Sequence, residues 1–115
     1  MSTITLWEWR EDVIVDQDMN ALIGFSVEAK DGSIGKIDEA TGDIGASYVV
    51  VDTGPWIFGQ KVMIPASMID RVDYDDETVY VMATKEQIKN APEFDESTYR
   101  DQNYRDQLGT YYSSR

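Results

Sequence analysis

The chain contains no cysteine and no histidine. The first absence excludes a disulfide framework, a thiol nucleophile and a thiolate metal site. The second removes the side chain whose unperturbed pKa lies nearest neutrality and which is the commonest metal ligand. Together they close most routes to nucleophilic catalysis and to zinc or iron chemistry. Basic residues are scarce, 10 against 22 acids, which leaves a net charge of −12 over 115 residues. A surface of that sign repels phosphate backbones, because nucleic-acid affinity comes largely from Lys and Arg. It also disfavours anionic membrane surfaces. No apolar run approaches the roughly 20 residues of a membrane helix. The first residues carry no basic stretch ahead of an apolar one, since Glu8, Glu11 and Asp12 surround Arg10. The expectation is a cytoplasmic protein with no catalytic residue, cofactor or metal, and no direct nucleic-acid or membrane partner.

What is present reads as one globular domain, with 42% hydrophobic and 28% charged residues. Three parts are expected. Residues 1–20 form an arm with five acids and one base; residues 21–91 hold twelve acids and six bases; residues 92–115 hold five and three. The charge is therefore spread, and no tail is a polyanion. An acidic surface can serve solubility alone or select basic partners.

The middle part reads as strands. Seven of the eight glycines fall between Gly24 and Gly59, marking tight turns and bulges. Gly24–Lys30 alternates, with Phe25, Val27 and Ala29 on one face. Asp31-Gly32 is a favoured pair for a two-residue hairpin turn, and Ile34–Ala40 is the return strand. Tyr48–Val51 is a β-branched run suited to burial on both faces or to crossing a barrel core. Gln60–Ile64 follows, stopped by Pro65. Arg71–Asp75 and Thr78–Met82 pair around the acidic turn Asp75-Asp76-Glu77. Six short strands in some 60 residues suggest a closed barrel, because closure removes exposed edges. Thr84 and Gln87 have the spacing of a capping box for a short helix that ends by Ala91-Pro92. A second helix is expected over Ser97–Tyr112, where Tyr104, Leu108, Tyr111 and Tyr112 fall on one stripe.

These segments resemble the PRC-barrel domain family. The resemblance rests on Leu22-Ile23-Gly24-Phe25-Ser26-Val27, then Asp31-Gly32-Ser33-Ile34-Gly35-Lys36-Ile37, then Tyr48-Val49-Val50-Val51-Asp52-Thr53-Gly54. Val62-Met63-Ile64-Pro65 and Val79-Tyr80-Val81 continue it, and Thr84–Phe94 is similar to the segment after the barrel in stand-alone bacterial members. It covers residues 21–94, with the tyrosine-rich tail matching more weakly, and the arm with Trp7 and Trp9 has no counterpart. The family implies a mostly β fold, a small six-stranded antiparallel barrel used as a protein-interaction module. Its relatives include the cytoplasmic part of the photosynthetic reaction-centre H subunit and the C-terminal domain of a ribosome maturation factor. None of these barrels is an enzyme, so the resemblance carries over no catalytic residue.

Other motifs lead elsewhere only superficially. Gly32-Ser33-Ile34-Gly35-Lys36 has two residues between its glycines where a phosphate loop has four, and Ile37 stands where Ser or Thr would hold magnesium. Asp73, Asp75, Asp76 and Glu77 lack the glycine and the span of a calcium loop. Asp38 and Glu39, as strand neighbours, point to opposite faces and cannot converge as an acid–base pair.

The aromatics carry the functional expectation. Trp7, Trp9, Trp56, Phe58, Tyr99, Tyr104, Tyr111 and Tyr112 lie mostly outside the strands. Trp and Tyr are enriched at interface hot spots. Two readings stand: these residues dock on another chain, or the arm and tail pack back onto their own barrel. The expected function is a non-enzymatic module that forms a homodimer and binds another protein through these residues. The alternative is a ribosome- or RNA-processing-associated factor acting through a ribosomal protein.

Overall fold

The structure is a computed structural model that describes residues 19–41, 47–54, 61–92, 94, 97 and 101–113. Chain direction explains its topology. Strands β1 (Ser26–Ala29), β2 (Gly32–Thr41), β3 (Tyr48–Asp52) and β4 (Lys61–Pro65) form an antiparallel meander. At the next step the chain does not reverse. Pro65 leads into a 3-10 turn, Ala66–Met68, and the chain runs on into β5 (Ile69–Asp73). β5 then pairs antiparallel with β6 (Thr78–Val81). Five hairpin reversals would set β6 antiparallel to β1. With one reversal missing, β6 lies parallel to β1, with Val27 opposite Val79.

Two expectations are corrected here. The sheet is mixed rather than purely antiparallel, with strand order β4-β3-β2-β1-β6-β5, and among the described residues it is not closed as a barrel. β4 and β5 stand at opposite edges with no ladder between them. Four residue steps join the end of β4 to the start of β5. The two edges therefore converge there to within about 15 Å, and the sheet is strongly curled. Pro65 suits an edge position because it has no N–H to give to a ladder.

Curling needs local bends, and three bulges supply them. Ile34 and Asp38 in β2 and Asp70 in β5 are each skipped in the pairing register. A bulge bends its strand and increases its twist. The bulge at Ile34 also resets the alternation, so that Ile34 and Ile37, three apart, are both buried. Between them Gly35 adopts φ +149°, and a Cβ there would lie 2.1 Å from the Asp52 carbonyl oxygen. Only glycine allows β2 and β3 to approach so closely.

The β1–β2 turn consists of Lys30 and Asp31, one residue earlier than expected, because Ala29 pairs directly with Gly32. Val49, Val50 and Val51 are all buried, so β3 is covered on both faces as far as Val51, and only its last residue, Asp52, is exposed. One apolar cluster runs from Leu22 through the strands to Ile88, Tyr104, Leu108 and Tyr112. In the β5–β6 turn, Tyr74 packs its ring edge-on against Phe25 at 5.7 Å. Helix α1 (Lys85–Lys89) carries the expected capping box: the Gln87 N–H donates to Thr84 Oγ1, and the Thr84 N–H donates to Gln87 Oε1. Helix α2 spans Gln102–Ser113. Among the described residues no helix is long and apolar enough to cross a membrane.

Candidate functional site

A polar region is built where the β1–β2 turn meets α1. The Lys30 N–H donates to the Ala83 carbonyl at 3.0 Å, fixing the hairpin tip beside the end of β6. The next residue, Asp31, turns its carboxylate to accept the Lys85 N–H at 2.8 Å. Lys85 is the first residue of α1, whose N–H has no partner within the helix. A cleft of about 340 Å³ opens there, lined by Asp31, Thr84, Glu86, Gln87 and Asn90. Asp31 and Glu86 are exposed carboxylates, so the mouth is acidic and polar. Its chemistry suits hydrogen bonding to a cationic group.

Helix α2 closes the far side of α1. Tyr111 Oη donates to the Gln87 carbonyl at 2.7 Å, and Tyr104 Oη donates to the Pro92 carbonyl at 3.2 Å. The five-residue helix α1 leaves its last carbonyls without helical partners, and Tyr111 satisfies one of them. Phe94 stands edge-on to Tyr104 at 6.5 Å, and Tyr111 edge-on to Tyr112 at 5.1 Å. Burial pushes the Tyr104 phenol up to about 12. It raises Tyr112 further, helped by the neighbouring Tyr111 and Tyr104.

The outer surface is acidic. Among the described residues ten exposed acids face four exposed bases. Lys61 is paired with Asp38 at 2.9 Å, and the Arg71 guanidinium stacks 3.9 Å above the Tyr80 ring. At the β5–β6 turn Asp73 is engaged by the Asp76 N–H at 3.1 Å. Among the described residues no three Asp or Glu side chains gather as metal ligands.

The candidate aromatics divide. Tyr104 and Tyr112 are turned into the chain's own core, with Tyr111 half-buried beside them, which is the packed-back arrangement for these three. Trp7, Trp9, Trp56, Phe58 and Tyr99 lie outside the described residues. In the sequence Asp31 reads as a turn residue, and no local pattern marks Glu86 as part of a site. The contact between Asp31 and Lys85 spans 54 residues, and no local pattern signals it.

Among the described residues the fold is thus a small, curled, six-stranded mixed sheet with two α-helices. Eleven chains of solved structures match it. One is a 16S ribosomal RNA processing protein, RimM, from Pseudomonas aeruginosa. It aligns with a TM-score of 0.52 at 13% identity, over 67% of this chain and 49% of that one. This chain therefore spans about half the length of that protein, and the likeness is one of fold. No family model and no curated protein matches the sequence.

Proposed function

We propose that this chain is a non-enzymatic interaction module of the PRC-barrel type, which self-associates and docks on a basic protein partner. The observation that carries the reading is the acid-dominated surface on a small curled sheet, ten exposed acids against four bases among the described residues. Such a surface steers and selects positively charged partners more than it adds raw affinity. Trp56 and Phe58, in the segment that joins β3 to β4, supply the apolar anchors. Truncating such anchors removes most of the binding energy at typical interfaces.

The test is light scattering on the full chain across a concentration series. Self-association should appear in the wild type and weaken in Trp56→Ala, while circular dichroism stays unchanged. A monomer at every concentration would sink the self-association.

A second reading is favoured by the fold likeness to RimM: a ribosome-associated factor. At net −12 its contact would run through a ribosomal protein and not through RNA. Co-sedimentation with ribosomal particles at low salt supports it, and free protein in the supernatant counts against it.

A further inference from the structure

Three features set α2 apart from the rest of the fold. Side chains fasten it to the rest of the fold: Tyr111 to the Gln87 carbonyl, Tyr104 to the Pro92 carbonyl, and Tyr104, Leu108 and Tyr112 into the apolar cluster. Its C-terminal half is weak helix sequence. Gly109 and Thr110 sit in its interior, no acid lies in its first turn and no base in its last. The third feature concerns two adjacent phenols. Tyr111 Oη is bonded to the Gln87 carbonyl, whereas Tyr112 Oη is buried without a hydrogen-bond partner among the described residues. A buried hydroxyl left unpaired disfavours the state that buries it. One tyrosine therefore fastens the helix and the next loosens it.

We propose that α2 is a releasable cover over the 87–94 segment, an autoinhibitory contact that opens while the sheet stays folded. Locally weak elements of this kind open well below the free energy of global unfolding. Opening frees the Gln87 and Pro92 carbonyls and the ring of Phe94, and it bares the apolar faces of Tyr104, Leu108 and Tyr112. The surface hidden in the closed state is aromatic and the surface around it is acidic. As regulation of docking, the inference rests on the function proposed above. As a motion, it stands on the α2 contacts alone.

Amide hydrogen exchange on the isolated full chain tests it. In the wild type, α2 amides should exchange at least about ten-fold faster than those of β3. Tyr111→Phe should speed α2 exchange about five-fold and leave β3 unchanged. Tyr112→Phe should slow α2 exchange. Fluorescence of the neutral apolar dye Nile red should rise in Tyr111→Phe. The proposal is overturned if α2 and β3 exchange together in the wild type, or if Tyr111→Phe leaves α2 unchanged or shifts both elements alike. It is equally overturned if Tyr112→Phe fails to slow α2, or if faster α2 exchange comes with no gain in dye signal. Because these measurements need no partner, their failure leaves the docking reading standing. A lasting monomer in light scattering leaves the cover standing.

Discussion

Asp31 accepts the backbone N–H of Lys85 at 2.8 Å, joining the tip of the first hairpin to the start of α1 across 54 residues of chain. With Thr84 serving the N–H of Gln87, the two side chains satisfy two of the helix's free donors. Asp31→Ala should cost about 1 kcal/mol, the usual effect of losing a cap. Asp31→Asn keeps an acceptor and should cost less. Urea denaturation of the three proteins checks this order.

Gly35→Ala should be far more damaging than its size suggests. The added methyl would meet the Asp52 carbonyl at 2.1 Å, and the backbone stands at φ +149°. Strain of this kind alone costs on the order of 1–3 kcal/mol, and the clash with main chain adds to it. Gly24→Ala makes the comparison: φ is also positive, at +91°, but no atom lies within 4 Å of the added Cβ. The Gly35 variant should melt clearly below the Gly24 variant in a thermal scan.

The ion pair between Lys61 and Asp38 should contribute little. Both side chains are partly exposed, at 31% and 46%, and such pairs are worth roughly 0–1 kcal/mol. Ile64→Ala, three residues along β4 from Lys61 in a fully buried position, should cost about 2–5 kcal/mol. Chemical denaturation of Asp38→Asn and Ile64→Ala separates the two. Equal losses would show that the edge pair is much stronger than its exposure implies.

The α2 tyrosines make the protein sensitive to alkali. Tyr104 is raised from 10 to about 12 by burial, and Tyr112 is raised in the same direction. The unfolded chain ionises first, so the stability these phenols contribute is complete below pH 10 and is lost as pH climbs toward 12. Tyrosinate absorbance at 295 nm, followed with helical circular dichroism, should show these phenols ionising as α2 signal disappears. Tyr104→Phe should move that loss to higher pH.

Local chemistry was legible from the sequence wherever neighbours decide structure. The capping box at Thr84 and Gln87, the acidic turn Asp75-Asp76-Glu77, the buried run Val49–Val51 and the helical stripe Tyr104, Leu108, Tyr111 and Tyr112 follow from spacing, although β5 ends at Asp73, two residues before the expected Asp75, and Tyr111 is only half-buried. Details slipped where the register depends on a partner strand. The first turn is Lys30-Asp31 rather than Asp31-Gly32, because pairing begins at Gly32. The cleft carboxylate Asp31 was hidden for a related reason, since its partner lies on an element more than 50 residues away.

By itself the amino-acid sequence determined the order of strands and helices, though not every boundary, along with the absence of thiol and imidazole chemistry and the sign of the surface. Periodicity, turn residues and charge act over a few residues and need no knowledge of the whole. Only the tertiary structure decided that the chain runs through Ala66–Met68 without reversing, and so that β6 lies parallel to β1 in a sheet left open between β4 and β5. It also decided that Tyr104 and Tyr112 face inward. The physical reason is the same in both cases. Direction and burial depend on where distant segments meet, and a single unmade turn at Pro65 changes the orientation of every strand that follows.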